Sequence, residues 1–258
     1  MRHSAHKLAR QAESNPVLEA GARLGYAASG VLHLVLACLT LQLTFGGNGG
    51  QADQSGALRE LALNPVGAVL LWVLLAGFVL LGLWQVTEVF ARPAKQKLKP
   101  AAKAVVYIVL AVTTVSVLYG TSTNSNQQTA NITATAMSYP AGIWAVGVVG
   151  LVVIVVGLFH VVKAVRKGFL KDLAERPPRW VVRVAQAGYV AKGVALGAVG
   201  ALFVIAAATH DPKKAGGLDA GLRSLLAVPA GVVVLAAVAV GLACYGVYSF
   251  ARARYARV

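Results

Sequence analysis

Charge is what this chain most lacks. Only 13% of its 258 residues are Asp, Glu, Lys or Arg, against 57% apolar, too little to coat a soluble globule of this size. Acid is scarcer still: the nine Asp and Glu are scattered, so no clustered carboxylates stand ready for acid–base chemistry. A paired-histidine motif, a nucleophile elbow and a phosphate-cradling glycine loop are also absent. These gaps lead us to expect no enzymatic activity, no catalytic residue, no metal site and no cofactor. The two cysteines, Cys38 and Cys244, do not read as a disulfide. Counted from the flanking charges they sit about 22 Å and about 10 Å deep in their helices, a mismatch larger than a disulfide spans, and both read as small packing residues.

What the chain has is long apolar runs, arranged as one two-helix unit written three times. Tyr26, Tyr107 and Tyr189 stand near the starts of runs, 81 and 82 residues apart. Each run is followed by a polar stretch and a Pro-x-Gly that opens a second run: Pro65-Val66-Gly67, Pro140-Ala141-Gly142 and Pro229-Ala230-Gly231. Fifteen residues after each of these glycines comes Gly82-Leu83-Trp84, Gly157-Leu158-Phe159 or Gly246-Val247-Tyr248. Self-similarity of this kind is the signature of tandem repeats. The runs place spans near 24–45, 66–90, 103–120, 141–165, 184–209 and 228–250, each able to cross a bilayer core about 30 Å thick. The expected fold is an all-α membrane protein, six transmembrane helices as three tandem, pseudo-threefold two-helix repeats. The divisions are a basic arm over 1–22 and repeats over 23–92, 93–176 and 177–258, the last ending in a basic tail. Gly25-Tyr26 and Gly30-Val31 recur as Gly188-Tyr189 and Gly193-Val194 inside the chain, which argues that the first span is a retained helix and not a cleaved signal.

Between the spans, Leu58-Arg59-Glu60-Leu61 and Leu222-Arg223-Ser224-Leu225 stand at the same distance before Pro65 and Pro229, and predict short amphipathic helices on the outer surface. The middle stretch, Thr121 to Ser138, carries no charge and predicts only a weak helix or an irregular cover. Each Pro of Pro-x-Gly suits a first helical turn. Glycines one turn apart, such as Gly193 and Gly197, predict close helix packing.

The net charge of +15 follows the same frame. Nineteen Lys and Arg fall in the N-terminal arm and first turn, the 2–3 connection, the 4–5 connection and the tail, whereas the three other connections share only Arg59, Lys213, Lys214 and Arg223. That asymmetry predicts cytoplasmic termini, with anionic lipids met at the cytoplasmic face. It is topology and lipid contact, with no nucleic-acid motif. A membrane-protein partner or a homo-oligomer also fits the glycine-rich faces.

Ionisable residues within spans are costly and become candidates for function by default. They are His33, Glu88, His160 and Lys192, all in the inner half, with His33 about 15 Å deep and near the midplane. The bland readings are snorkelling for Lys192 and interfacial placement for Glu88 and His160. The two aromatic sets, Tyr26/Tyr107/Tyr189 and Trp84/Phe159/Tyr248, read as packing or belt residues near the inner interface.

Taken together, the threefold unit, its Gly-Tyr starts, Pro-x-Gly openings and Gly-[LV]-aromatic ends resemble a mostly actinobacterial membrane family of unknown function, DUF 1206, over about residues 20–255. Val106-Tyr107 in place of Gly-Tyr marks the middle unit as the most divergent copy. The resemblance implies an inner-membrane protein of three tandem modules and brings no activity or site residues with it. Two functional classes are expected: a scaffold or assembly protein that binds lipid or a partner, or a small transporter with a polar cavity around His33.

Overall fold

The computed structural model describes residues 16–47, 50–91, 97–120, 124–175 and 177–255, save the side chains of 16–22, Trp84, Glu88, Ala91 and Lys99. Arg2, Lys7, Arg10, Arg92, Lys95, Arg176 and Arg257 of the basic clusters lie outside the described residues. The chain is helical, with no β-sheet among the described residues: α1 Pro16–Thr44, α2 Gln54–Ala62, α3 Pro65–Ala91, α4 Leu98–Leu118, α5 Ser125–Met137, α6 Gly142–Val165, α7 Arg179–Thr209, α8 Leu218–Ser224 and α9 Gly231–Tyr255. Six of these, α1, α3, α4, α6, α7 and α9, are long and apolar enough to cross a membrane. Their outward faces are apolar as well. On α6, Val148, Leu151, Val152, Val155 and Phe159 are all exposed, a continuous surface that water would penalise and lipid would not.

Two compact units are formed, residues 1–54 with 125–258, and residues 55–124. In the smaller, α3 packs on α4. In the larger, α6 packs on α7, α7 on α9 and α9 on α1.

The packing pairs the second span of one repeat with the first span of the next, and it does so through the same glycines. A Cβ on Gly157 would stand 2.7 Å from the Gly193 carbonyl oxygen, and one on Gly246 would stand 3.0 Å from the Gly30 carbonyl oxygen. Gly157 and Gly246 are repeat-equivalent, as are Gly193 and Gly30, so α6/α7 and α9/α1 are two copies of one helix contact. The third copy is looser. Ala111 replaces the partner glycine, and a Cβ on Gly82 would meet only Tyr107 and Ile108 side chains, at 3.7 and 3.9 Å.

The Pro-x-Gly glycines share a single cause. In each case the place a Cβ would take is held by a carbonyl six residues earlier, Leu61 for Gly67, Ala136 for Gly142 and Leu225 for Gly231. The prolines divide. Pro65 opens α3 as expected, but Pro140 and Pro229 precede their helices, in turns closed by the Gly142 amide on Tyr139 at 2.8 Å and the Gly231 amide on Val228 at 2.9 Å. Proline at the second position of such a turn supplies the fixed φ it needs.

Short surface helices precede each of these corners, and Leu58 and Leu222, at matching positions, are both buried. The middle one departs from expectation: α5 is a regular helix of 13 residues, the longest of the three. It is anchored at its first turn. The Ser125 hydroxyl donates to the Asp53 carboxylate, and the Asn126 carboxamide oxygen accepts from the amides of Gly217 (3.1 Å) and Ala220 (3.3 Å). Tertiary hydrogen bonds here override poor intrinsic propensity.

Candidate functional site

Three of the four ionisable span residues meet in the larger unit. His33 on α1 is half-buried; its Nδ1 lies 2.7 Å from the Ser29 carbonyl oxygen, so Nδ1 donates. Its ring packs 4.6 Å from that of Tyr245 on α9. Lys192 on α7 lays its ammonium 4.1 Å from the same tyrosine ring. His160 on α6 donates from Nδ1 to the Val156 carbonyl at 2.8 Å and stands 6.0 Å from the ring of Tyr189 on α7. Tyr189 and Tyr245 meet edge to face at 5.5 Å. A line of rings, His33, Tyr245, Tyr189 and His160, thus crosses all four spans of the unit. Glu88 belongs to α3 of the other unit, and its side chain lies outside the described residues.

Around this line the space is filled with rings. Phe169, from the short 3-10 helix Gly168–Asp172, stacks on Tyr189 at 5.4 Å and meets Tyr248 at 5.5 Å. Phe169 and Tyr248 are wholly buried, with Ala164, Val181 and Ala185 packed beside them. Of the repeated aromatics, Tyr189 and Tyr248 are therefore core residues, whereas Phe159 is exposed and Trp84 lies among the undescribed side chains.

Two further contacts escaped the reading of the sequence although a signal was present. Four residues after each of Trp84, Phe159 and Tyr248 stands a charged residue, Glu88, Lys163 and Arg252. Lys163 places its ammonium 5.3 Å from the Tyr189 ring, and Arg252 its guanidinium carbon 4.4 Å from the Tyr26 ring. Tyr189 and Tyr26 are repeat-equivalent, so a cation-on-tyrosine clasp closes both helix pairs, α6/α7 and α9/α1. Lys163 also forms an ion pair with Asp172 at 2.8 Å. Glu88 puts the opposite charge at the third equivalent position.

At the far ends of the spans lies a polar latch that the sequence did not announce. Asp219 of α8 is buried; it accepts from the Ala52 amide at 2.8 Å, the Asn126 carboxamide at 2.8 Å and Arg223 Nε at 2.8 Å. Burial alone would raise its carboxyl pKa, but the bonds from Arg223, Ala52 and Asn126 outweigh it and hold the pKa below the usual carboxylate range. Together with the bond from Ser125 to Asp53, the latch joins loop segments of all three repeats.

Chemically, the ring cluster holds cations on aromatic faces and fixes histidine tautomers through backbone carbonyls. Among the described residues no three His, Cys, Asp or Glu are grouped to hold a metal ion.

A family model described as Domain of Unknown Function (DUF1206) matches the chain three times, at residues 24–92, 98–167 and 187–256. These are the three tandem modules. The chain is also similar to a Bacillus subtilis (strain 168) protein described as Uncharacterized protein YxxB, with 28% identity covering 94% of this chain and 93% of that protein. No solved structure matches the chain.

Proposed function

The chain belongs to the DUF1206 family, and from that premise we propose a non-enzymatic scaffold or assembly protein of the bacterial plasma membrane that holds anionic lipid at a cytoplasmic, basic face. One observation carries the reading. The described ionisable residues of the inner-half set, with their neighbours, are engaged by the chain itself: His33 and His160 bond their own helix carbonyls, Lys192 and Lys163 lie on tyrosine rings, and Asp172 neutralises Lys163. Packed, buried rings fill the centre of the cluster. The nineteen-to-four distribution of Lys and Arg supports an orientation with both termini and the two basic connections inside. The apolar outward faces suit lipid, a membrane-protein partner or a second copy of the chain.

Purification from native membranes with identification of the bound lipids and proteins is the test. Enrichment of anionic phospholipid over its bulk fraction, with a recurrent membrane-protein companion, is expected. Lipid in bulk proportion and no companion would count against the reading.

A small transporter is the second reading, favoured by the unbroken line of rings from His33 to His160. Reconstituted protein that moves protons or a solute across sealed vesicles, with the flux abolished by His33→Leu, would put it first.

A further inference from the structure

The two clasps differ in how their charge is balanced. At α6/α7 the chain supplies the anion, Asp172, 2.8 Å from Lys163. At α9/α1 no described carboxylate comes within ion-pair distance of Arg252, which donates from Nη2 to the Tyr26 hydroxyl at 3.4 Å. Its Nε is buried and donates to no described group. One turn back, the hydroxyl of the wholly buried Tyr248 makes no hydrogen bond of good geometry among the described residues, its polar neighbours including Tyr189 and, within electrostatic range, Arg252. A second cation, Lys192, with no ion pair to a described carboxylate, sits on Tyr245, whose ring is 6.1 Å from that of Tyr248.

Unpaired buried donors and an unbalanced buried charge are both expensive, and a guanidinium presents its donors as a planar fork. The anion that fits is one with several acceptor oxygens set for such a fork. We propose that Arg252, with Tyr26 and Tyr248, binds a phosphate group at the basic end of the α9/α1 pair, the external anion doing for Arg252 what Asp172 does for Lys163. The ligand chemistry is a phosphate ester or phosphate ion with net negative charge; a lipid headgroup and free phosphate share it. The headgroup version rests on the proposal that this end faces anionic lipid.

The test uses full-length protein in phosphatidylcholine nanodiscs with and without phosphatidylglycerol, with bound lipid counted by native mass spectrometry, and a separate titration with inorganic phosphate. Loss of a charge-assisted hydrogen bond is worth roughly a tenfold drop in affinity or more, and that is expected for Arg252→Gln. Arg252→Lys, which keeps the charge without the fork, should fall between. Tyr248→Phe, which keeps the packing, should weaken binding several-fold even if Arg252→Gln misfolds. Arg254→Gln removes an exposed guanidinium two residues away and should change binding by less than about twofold.

Displacement of phosphatidylglycerol by inorganic phosphate would identify a soluble ligand, and its failure to displace would identify the headgroup. Equal losses from Arg252→Gln and Arg254→Gln, or wild-type binding by Arg252→Gln and Tyr248→Phe, would overturn the site. Wild-type enrichment of phosphatidylglycerol that survives Arg252→Gln would sink the site and leave the lipid reading standing. Phosphate binding lost in Arg252→Gln, without lipid enrichment in the wild type, would do the reverse. Neither ligand binding to the wild-type protein would overturn both.

Discussion

Tyr245 is the residue on which the inner-half set converges, since the His33 ring, the Lys192 ammonium and the rings of Tyr189 and Tyr248 all lie against it. Tyr245→Ala should therefore cost about 3–5 kcal/mol, read as a lowered melting temperature in detergent. An unchanged melt would mean that the cluster does not hold the spans together. His33→Leu removes one side-chain bond to a helix carbonyl, worth about 0.5–1.5 kcal/mol, so its amount in the membrane should match wild type on a quantitative blot. A collapse in that amount would make His33 a folding residue. At the opposite end, Asp219 has a depressed carboxyl pKa in the fold. Its stabilisation is then fully present above the unfolded value of about 3.9 and is lost as pH falls through the lower folded value. The wild-type melting temperature should drop steeply below about pH 4, and Asp219→Asn should be less stable at neutral pH with a shallower acid limb. Parallel pH profiles would refute this. Depth alone made His33 legible in the sequence. Tyr245 was not legible, because its repeat-equivalents are Leu81 and Val156, and a reading built on shared positions passes over a residue that one copy changed.

Helix elements were legible where periodicity and glycine spacing carried them, and less so where a neighbour decided. Gly193 and Gly197, one turn apart, look alike in sequence, yet a Cβ on Gly193 would stand 2.6 Å from the Gly157 carbonyl oxygen whereas one on Gly197 would meet nothing within 4 Å. Gly193→Ala should thus destabilise by about 1–3 kcal/mol and Gly197→Ala should be neutral, measured as the difference between their thermal melts. The reverse order would show that α6 and α7 do not meet in this register. Helix α5 illustrates the other limit. Its uncharged Thr, Ser, Asn and Gln residues signal weak propensity, and the bonds that fix it come from Asp53, Gly217 and Ala220, far away in the chain. Such partners leave no trace in a local window.

At the scale of the molecule, the repeat and its six spans were written in the order of residues, because duplication preserves spacing. What spacing could not tell was which helix each span would choose: in the larger unit the glycine-to-carbonyl pairs α6/α7 and α9/α1 join different repeats, while α7 also packs on α9, the other span of its own repeat. The burial pattern also refines where the orientation should be probed. In a background with Cys38 and Cys244 replaced by Ala, cysteines at the exposed Gln128 and Lys214 should react with an impermeant thiol reagent on intact cells, and one at the exposed Ala174 should react only after lysis. Labelling of Ala174→Cys in sealed cells would invert the topology. The pairing of α1 with α9 bears on synthesis as well. Tyr26 and Arg252 are separated by 226 residues, so at about 5–20 residues per second the first span waits roughly 10–45 s for the helix that covers its glycine face. Throughout that interval the nascent protein presents an unfilled small-residue surface to the bilayer, and any product truncated before α9 keeps it permanently, a mark by which a membrane protease can tell unfinished chains from complete ones.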